Sequence, residues 1–268
     1  MTAPQAPRFR FSDGVDIHSH PLPGIDDGAA SFQDSLGMLC VAARYGTRVM
    51  IATPHRYWGG RENTPDLLRR LTADVQAELM QRKAGHVISL LPGQEIPLRP
   101  ETAEELLAGK VLSLGDAGRY CLVEPPFDNL PGWIADALAR IVAVGIRPVL
   151  AHPERNAVIQ REPALVREYV EAGALLQLTA MSIEGENGKR ALSAATWILE
   201  QGMAGIVSSD SHSSTWRPPT LRGAYRRLIG MFDQETAYRL CAANPAAIAE
   251  GRPVTLTSVP FAKREGMP

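Results

Sequence analysis

The 268 residues carry 28 Lys and Arg against 29 Asp and Glu, a formal charge of −1, with 45% apolar and 21% charged residues. That balance excludes a disordered tail, a collagen-like chain and a protein that captures nucleic acid by charge alone. The length suits one large domain, and a single α/β barrel would use all of it.

Short runs rich in Val, Ile and Leu alternate with amphipathic stretches along the chain. The first run is Val15–His18. A helix follows from Ser31, a suitable N-cap with Asp34 in its first turn, and ends at Gly46, which can take the position just past the helix. The second run is Arg48–Thr53. Thr64-Pro65 opens a long helix, Thr as cap and Pro in the first helical position, closing near Gly85. The third run, Val87–Leu91, leads into Pro92-Gly93-Gln94-Glu95. A short helix around Glu101–Leu107 precedes the fourth run, Arg119–Glu124. A helix near Trp133–Val144 leads to the fifth, Pro148–His152. One near Pro163–Ala172 leads to the sixth, Ala174–Thr179, and one near Lys189–Glu200 to the seventh, Gly205–Asp210. Two more helical stretches complete the chain.

Seven apolar runs, each returned by a helix, predict a parallel sheet buried on both faces. No linker, low-complexity stretch or repeat divides the sequence. The expected architecture is α/β: one barrel-like domain of about seven β/α units.

The ionisable residues fall where those runs end. Asp16-Ile17-His18-Ser19-His20 closes the first run, with Asp26-Asp27-Gly28 in the loop behind it. Thr53-Pro54-His55 closes the second, Glu95 the third, Glu124 the fourth, and His152-Pro153-Glu154-Arg155 the fifth. Ser209-Asp210-Ser211-His212 closes the seventh. In a β/α barrel these carboxyl ends converge on one face, where active sites are built. Imidazole with carboxylate suits zinc, manganese or iron. His-x-His at a strand end lets alternate side chains point the same way toward one ion, and Asp210-x-His212 offers the same geometry. Nine candidate ligands are too many for one tetrahedral ion and suit two or three ions sharing a carboxylate. Any single motif has a bland reading, as a turn, a cap or a surface ion pair. Five of the six histidines at strand ends of one polarity do not. His86 precedes a run, at the opposite end, and reads as structural.

The ordered set Asp-Ile-His-Ser-His, Asp-Asp-Gly, Thr-Pro-His, Gly-Gln-Glu-Ile (93–96), Val-Glu (123–124), Ala-His-Pro-Glu-Arg (151–155) and Ser-Asp-Ser-His resembles the PHP (polymerase and histidinol phosphatase) superfamily. Asp-Asp-Gly close behind His-x-His, the His-x-Glu-Arg run and Arg217-Pro218-Pro219 bring it nearer to the bacterial PHP-type protein-tyrosine phosphatases of the CpsB/CapC family. The likeness runs from about residue 14 to 250, leaving 1–13 and 251–268 as terminal extensions. It implies a distorted (β/α)7 TIM-like barrel, the PHP fold, with three metal ions. One ion would be held by His18, His20 and Asp210; a second by Glu124 and His152, with Glu95 bridging; a third by Asp27, His55 and His212. Arg155 and Arg217 match the arginines that hold the substrate phosphate. The family usually works with manganese, although iron or zinc can occupy such sites. The implied reaction is hydrolysis of phosphotyrosine on protein, with ion-activated water attacking phosphorus. The implied partner is a tyrosine autokinase controlling capsule or exopolysaccharide production.

The cysteine route to phosphotyrosine needs Arg six positions after a nucleophilic Cys. Those positions hold Gly46, Phe127 and Ala247 after Cys40, Cys121 and Cys241. Cys40 and Cys121 read instead as small core residues of a helix and a strand. Three distant cysteines without a Cys-x-x-Cys pair point to a reducing cytosol, not a disulfide framework. No apolar segment of signal-peptide or bilayer-spanning length is present, so neither membrane insertion nor nucleic-acid binding is expected. Trp58 and Trp216 lie in loops beside ligand motifs and can line a mouth for a tyrosyl ring. Trp133 and Trp197 read as packing, and Lys189-Arg190 and Arg226-Arg227 as solvated helix faces. The competing functions are a small-molecule phosphatase acting on a compound such as histidinol phosphate, an amidohydrolase, which needs neither arginine, and a non-catalytic scaffold.

Overall fold

A computed structural model describes residues 13–82 and 87–254. Gly85, the expected helix end, and His86 lie outside the described residues.

Strand β1 (Gly14–Asp16) is followed by α1 (Phe32–Arg44). Ser31 caps this helix, its hydroxyl accepting from the amide of Asp34. Leu36, Leu39 and Ala42, spaced at three residues, are buried. Cys40 lies off that stripe and is exposed, so it is not the core residue expected from sequence; Cys121 and Cys241 are buried. Strand β2 (Thr47–Ala52) leads to a small antiparallel hairpin, β3 (Tyr57–Trp58) and β4 (Arg61–Glu62). Helix α2 (Pro65–Gln81) has Pro65 in its first turn, as expected, although the Thr64 side chain makes no capping bond.

The third sequence run divides into β5 (Ser89–Pro92) and β6 (Glu95–Pro97), which belong to different sheets. The bend between them passes Gly93, where a Cβ would stand 2.6 Å from Ile51 Cγ2. Helix α3 (Thr102–Leu107), β7 (Tyr120–Glu124), α4 (Ile134–Ala143) and β8 (Arg147–Ala151) follow. The next helical stretch opens as a 3-10 turn at Pro163–Leu165 and continues as α5 (Val166–Glu171). After β9 (Leu175–Thr179) a short helix absent from the sequence reading, α6 (Ala180–Glu184), precedes α7 (Lys189–Glu200) and β10 (Ala204–Ser208). The final helical region comprises α8 (Arg222–Met231), α9 (Gln234–Tyr238), a π turn at Arg239–Ala243 and α10 (Asn244–Ala249).

The strands other than the hairpin pair in parallel as two sheets, β1-β2-β5 and β10-β9-β8-β7-β6. Alternate side chains point to opposite faces. One face of each sheet contributes to a shared apolar cluster: Val15, Ile17 and Ile51 from the first, Leu122, Val149, Leu175 and Ile206 from the second, with Ile248 beneath them. The opposite faces are covered by helices, α1 and α2 on the first sheet and α4, α7 and α8 on the second. The sheets are joined at the ends where the strands emerge. There the Asp210 amide donates to the His18 carbonyl (2.9 Å) and the His20 amide to the Ser211 carbonyl (2.9 Å). On the other side Arg56 donates to the Glu95 carbonyl and the Glu95 amide to that of Pro54, both at 3.1 Å. No helix among the described residues is long and apolar enough to cross a membrane.

Candidate metal centre

Eight of the nine candidate ligands lie at or just beyond the carboxyl end of a parallel strand or in the loop that follows it; Glu95, expected to close the third run, instead opens β6, three residues past the end of β5, and the fold brings all nine together. Four overlapping groups have ligand atoms within 4.8 Å of one another: His18, His20 and Asp210; His18, Glu95 and His152; His55, Glu95 and Glu124; and His20, Asp27, His55 and His212. Glu95 is central. Its Oε1 lies 3.2 Å from the Nε2 of both His18 and His152, and its Oε2 lies 2.9 Å from His55 Nδ1. His18, His20, Glu95, Asp210 and His212 are buried, whereas Asp27 is exposed, so the fourth group opens toward solvent.

The backbone is bent to achieve this. His152 (φ 31°) and Asp210 (φ 51°) sit in the left-handed region immediately after β8 and β10. Residues other than glycine reach it at a cost of order 1–3 kcal/mol, and such positions cluster at functional sites. The Asp-Asp-Gly motif has an equally local reason. The loop folds back so that the Ala29 amide donates to the His20 carbonyl, and a Cβ on Gly28 would lie 2.0 Å from that oxygen.

The histidines present their free nitrogens to one another. His18 Nδ1 faces Gln177 Oε1 at 2.9 Å and His20 Nδ1 faces Asp26 Oδ2 at 2.8 Å. Both partners accept, which holds each Nδ1 outward and directs the two Nε2 atoms inward, 3.4 Å apart. Once the rings are neutral, an ion between these nitrogens would take both lone pairs, and an outer partner on the other ring nitrogen is the usual way metal-binding histidines are oriented. Glu95 Oε2 is buried among ring nitrogens, His55 Nδ1 at 2.9 Å and His20 Nε2 at 3.5 Å. The donor set fits a divalent ion of borderline hardness.

Titration follows the same electrostatics. Burial opposes the charged His20 ring, but the Asp26 carboxylate overcomes it and raises the ring to about 9. Burial likewise opposes the His55 cation, yet hydrogen bonds to Asp27 and Glu95 lift it to about 11. Burial would raise Asp27, and bonds from His212 and His55 carry it well below the usual carboxylate range. Glu124 moves up through burial and the nearby Glu95 charge, and His212 moves down through burial and His20. In the absence of ions, cationic rings neutralise the carboxylates.

Arg155 and Arg217 meet at one atom. Arg155 Nη1 donates to Asp210 Oδ2 at 2.5 Å and Arg217 Nη2 to the same oxygen at 2.6 Å, while Asp210 Oδ1 lies 3.3 Å from His18 Nε2. Three exposed aromatic residues surround this edge. Trp58 stacks on His55 with centroids 5.6 Å apart and planes 12° apart. Trp216 stands 6.4 Å from the His212 ring and beneath the Arg217 guanidinium at 5.6 Å. Phe127 lies under Arg155 at 5.4 Å.

Sequence reasoning passed over several supporting residues. Gln177 orients His18 and was visible as the one polar side chain within the apolar run Leu-Leu-Gln-Leu. Asp26 adjoins a proposed ligand and also accepts from the His55 amide. Asp16, pushed up to about 6 by burial against hydrogen bonds from Ser209, ties β1 to the turn that carries Asp210. Phe127 left no sequence signal.

The chain is similar to known proteins over most of its length. The family described as capsular polysaccharide synthesis, CpsB/CapC, matches residues 14–250. The tyrosine-protein phosphatase YwqE of Bacillus subtilis is 36% identical over 226 residues, covering 84% of this chain and 88% of that protein. The tyrosine-protein phosphatase CpsB of Streptococcus agalactiae is 29% identical over 241 residues, covering 87% and 97%. Among solved structures, one from a study of Bacillus subtilis YwqE and Streptococcus pneumoniae CpsB, metal-dependent tyrosine phosphatases, superposes with a TM-score of 0.87 at 33% identity, covering 93% of this chain and all of that one. With the family match spanning most of its length and a relative 36% identical over 84% of it, the chain belongs to the CpsB/CapC family.

Proposed function

We propose that this protein is a metal-dependent phosphatase that removes phosphate from tyrosine on other proteins. The carrying observation is the meeting of an inward-facing histidine–carboxylate cluster with two arginines at Asp210. We assign one ion to His18, His20 and Asp210, a second to Glu124 and His152 with Glu95 bridging, and a third to Asp27, His55 and His212, with manganese the expected metal and iron or zinc the alternatives. The likeness to metal-dependent tyrosine phosphatases supports that chemistry. Bound there, such ions polarise a phosphoryl group and generate a nucleophile from water near neutral pH.

The chain's own groups do the rest. Arg155 and Arg217 exchange their shared contact with Asp210 for the equatorial oxygens of the phosphate, which their planar forks can bind in pairs. Trp58 and Trp216 border the opening and accept the tyrosyl ring. A phenolic leaving group, pKa ~10, needs little acid assistance. We take residues 14–250 as one phosphoesterase unit and read the two sheets as a distorted seven-unit barrel, supported by their shared interior cluster and the hydrogen bonds at their junctions. The free cysteines fit a reducing cytosol. The substrate we favour is a tyrosine autokinase that controls capsule or exopolysaccharide formation, in keeping with the family description.

The test combines metal analysis with turnover on a phosphotyrosyl peptide and on histidinol phosphate. The peptide is expected to be hydrolysed, the activity to vanish on chelation and to return with manganese. Hydrolysis of histidinol phosphate alone would establish the small-molecule reading instead.

A further inference from the structure

The segment from His212 to Thr220 has two sides. On one, His212 and Arg217 face the metal centre. The segment is pinned by the amides of His212 and Ser213, which both donate to the Arg217 carbonyl at 3.0 and 3.2 Å. On the other side, Ser214 and Pro218 line an open groove of about 460 Å³ whose far wall is the end of α1 and the start of α8. Arg44 and Tyr45 come from the first and Arg222 and Arg226 from the second.

Those three arginines are exposed, and among the described residues none of them is in an ion pair. Arg222 and Arg226 are four residues apart on one helix, so they face the same way and repel. Some surface arginines of this chain have carboxylate partners, Arg69 with Asp66 and Asp116, Arg82 with Glu78 and Arg140 with Glu104, and others such as Arg70 and Arg190 stand singly among the described residues; what sets Arg44, Arg222 and Arg226 apart is that they line one concave groove together. The start of α8 does not itself attract the anion, because the Glu184 carboxylate already accepts from the Ala224 amide at 2.8 Å. The sequence reading of Arg226 as a merely solvated face omits this concave surrounding.

We propose that the groove is a second binding site, one that takes anionic side chains, carboxylate or phosphate, of the polypeptide whose phosphotyrosine occupies the metal centre. The proposal rests on the phosphatase reading for its substrate, and on the unpartnered arginines and the shared segment for its location. A chain with its phosphotyrosine beside Arg217 passes Trp216 and Pro218 and reaches the groove within a few residues. The arginines would select acidic flanks by lowering KM, with little effect on kcat, because they touch no reacting atom.

Four substrates test this: p-nitrophenyl phosphate, and phosphotyrosyl peptides with neutral flanks, with flanking glutamates, or with a flanking phosphoserine. The acidic peptides are expected to show a kcat/KM about tenfold above the neutral peptide at low salt, fading as salt is added. Glutamate and phosphoserine arms separate the two anion sources. In an Arg222→Gln, Arg226→Gln double variant the advantage should disappear while p-nitrophenyl phosphate and the neutral peptide are hydrolysed as before, which also shows that the fold is intact. An equal rate on acidic and neutral peptides, or an advantage that survives the double variant, overturns the proposal. Fluorescence anisotropy with a labelled glutamate-rich peptide lacking phosphotyrosine reads the groove without turnover. Binding by the original protein and not by the double variant supports the site even if no phosphate is released, whereas absence of binding overturns it.

Discussion

Asp210 divides its two carboxylate oxygens, one toward the histidines and one toward Arg155 and Arg217. Removing one arginine leaves the other on Oδ2, so the carboxylate remains paired. Arg155→Ala is therefore expected to cut phosphatase activity by at least about a hundredfold, as loss of one group that stabilises developing charge does, with metal content unchanged in elemental analysis. Retained activity would remove Arg155 from its role. The residues behind the histidines separate affinity from chemistry. Gln177→Ala and Asp26→Asn each free a ring that is now oriented, and should weaken metal binding roughly 10–100-fold in competition with a chelator. The nine candidate ligands were legible because His, Asp and Glu at strand ends announce themselves by type, and the fold gathers them. Phe127 was not, because an aromatic residue after Pro-Pro could face anywhere until the fold puts it under Arg155.

At the scale of elements, the loop behind β1 shows how a motif of ordinary turn residues becomes obligatory. A side chain at Gly28 would collide with the His20 backbone, with no flexible end to move aside. Gly28→Ala should therefore displace Asp26, Asp27 and His20 together and destabilise the protein by more than ~1 kcal/mol. Denaturant unfolding and metal titration of the variant would check both effects, and an unaltered metal affinity would show that the loop can relax. Helix starts at Ser31 and Pro65 and the span of α7 agree with the sequence reading because caps and periodicity are local. The division of the third run is not local. Ser89–Pro92 pairs with β2 and Glu95–Pro97 with β7, and only long-range packing distinguishes them. The β3–β4 hairpin was readable in principle, since Gly59-Gly60, both at positive φ, is the pair a two-residue turn requires. It fixes Trp58 against His55.

For the whole molecule, thiol chemistry distinguishes this architecture from phosphatases with a nucleophilic cysteine. Burial pushes the Cys121 and Cys241 thiols far up, and Cys40 alone is exposed. Iodoacetamide should modify one thiol, and activity should survive; inactivation would implicate a cysteine after all. The junction of the two sheets has a broader consequence. His18, His20, Asp27 and His55 follow strands of the smaller sheet, while Glu95, Glu124, His152, Asp210 and His212 belong to the larger one. Every candidate ion thus touches both sheets or lies against the line where they meet. Chelation should lower Tm by about 10 °C for each ion normally present near a thousandfold over its Kd. Hydrogen exchange should quicken first at the amides of His20, Arg56, Glu95 and Asp210, before Leu150 inside β8. Uniform exchange would argue that the sheets hold without help. The catalytic ions would then double as a buckle: the same charges that act on the substrate fasten two halves of the molecule whose backbones meet in only a few places, so the protein would loosen along its own mouth when starved of metal.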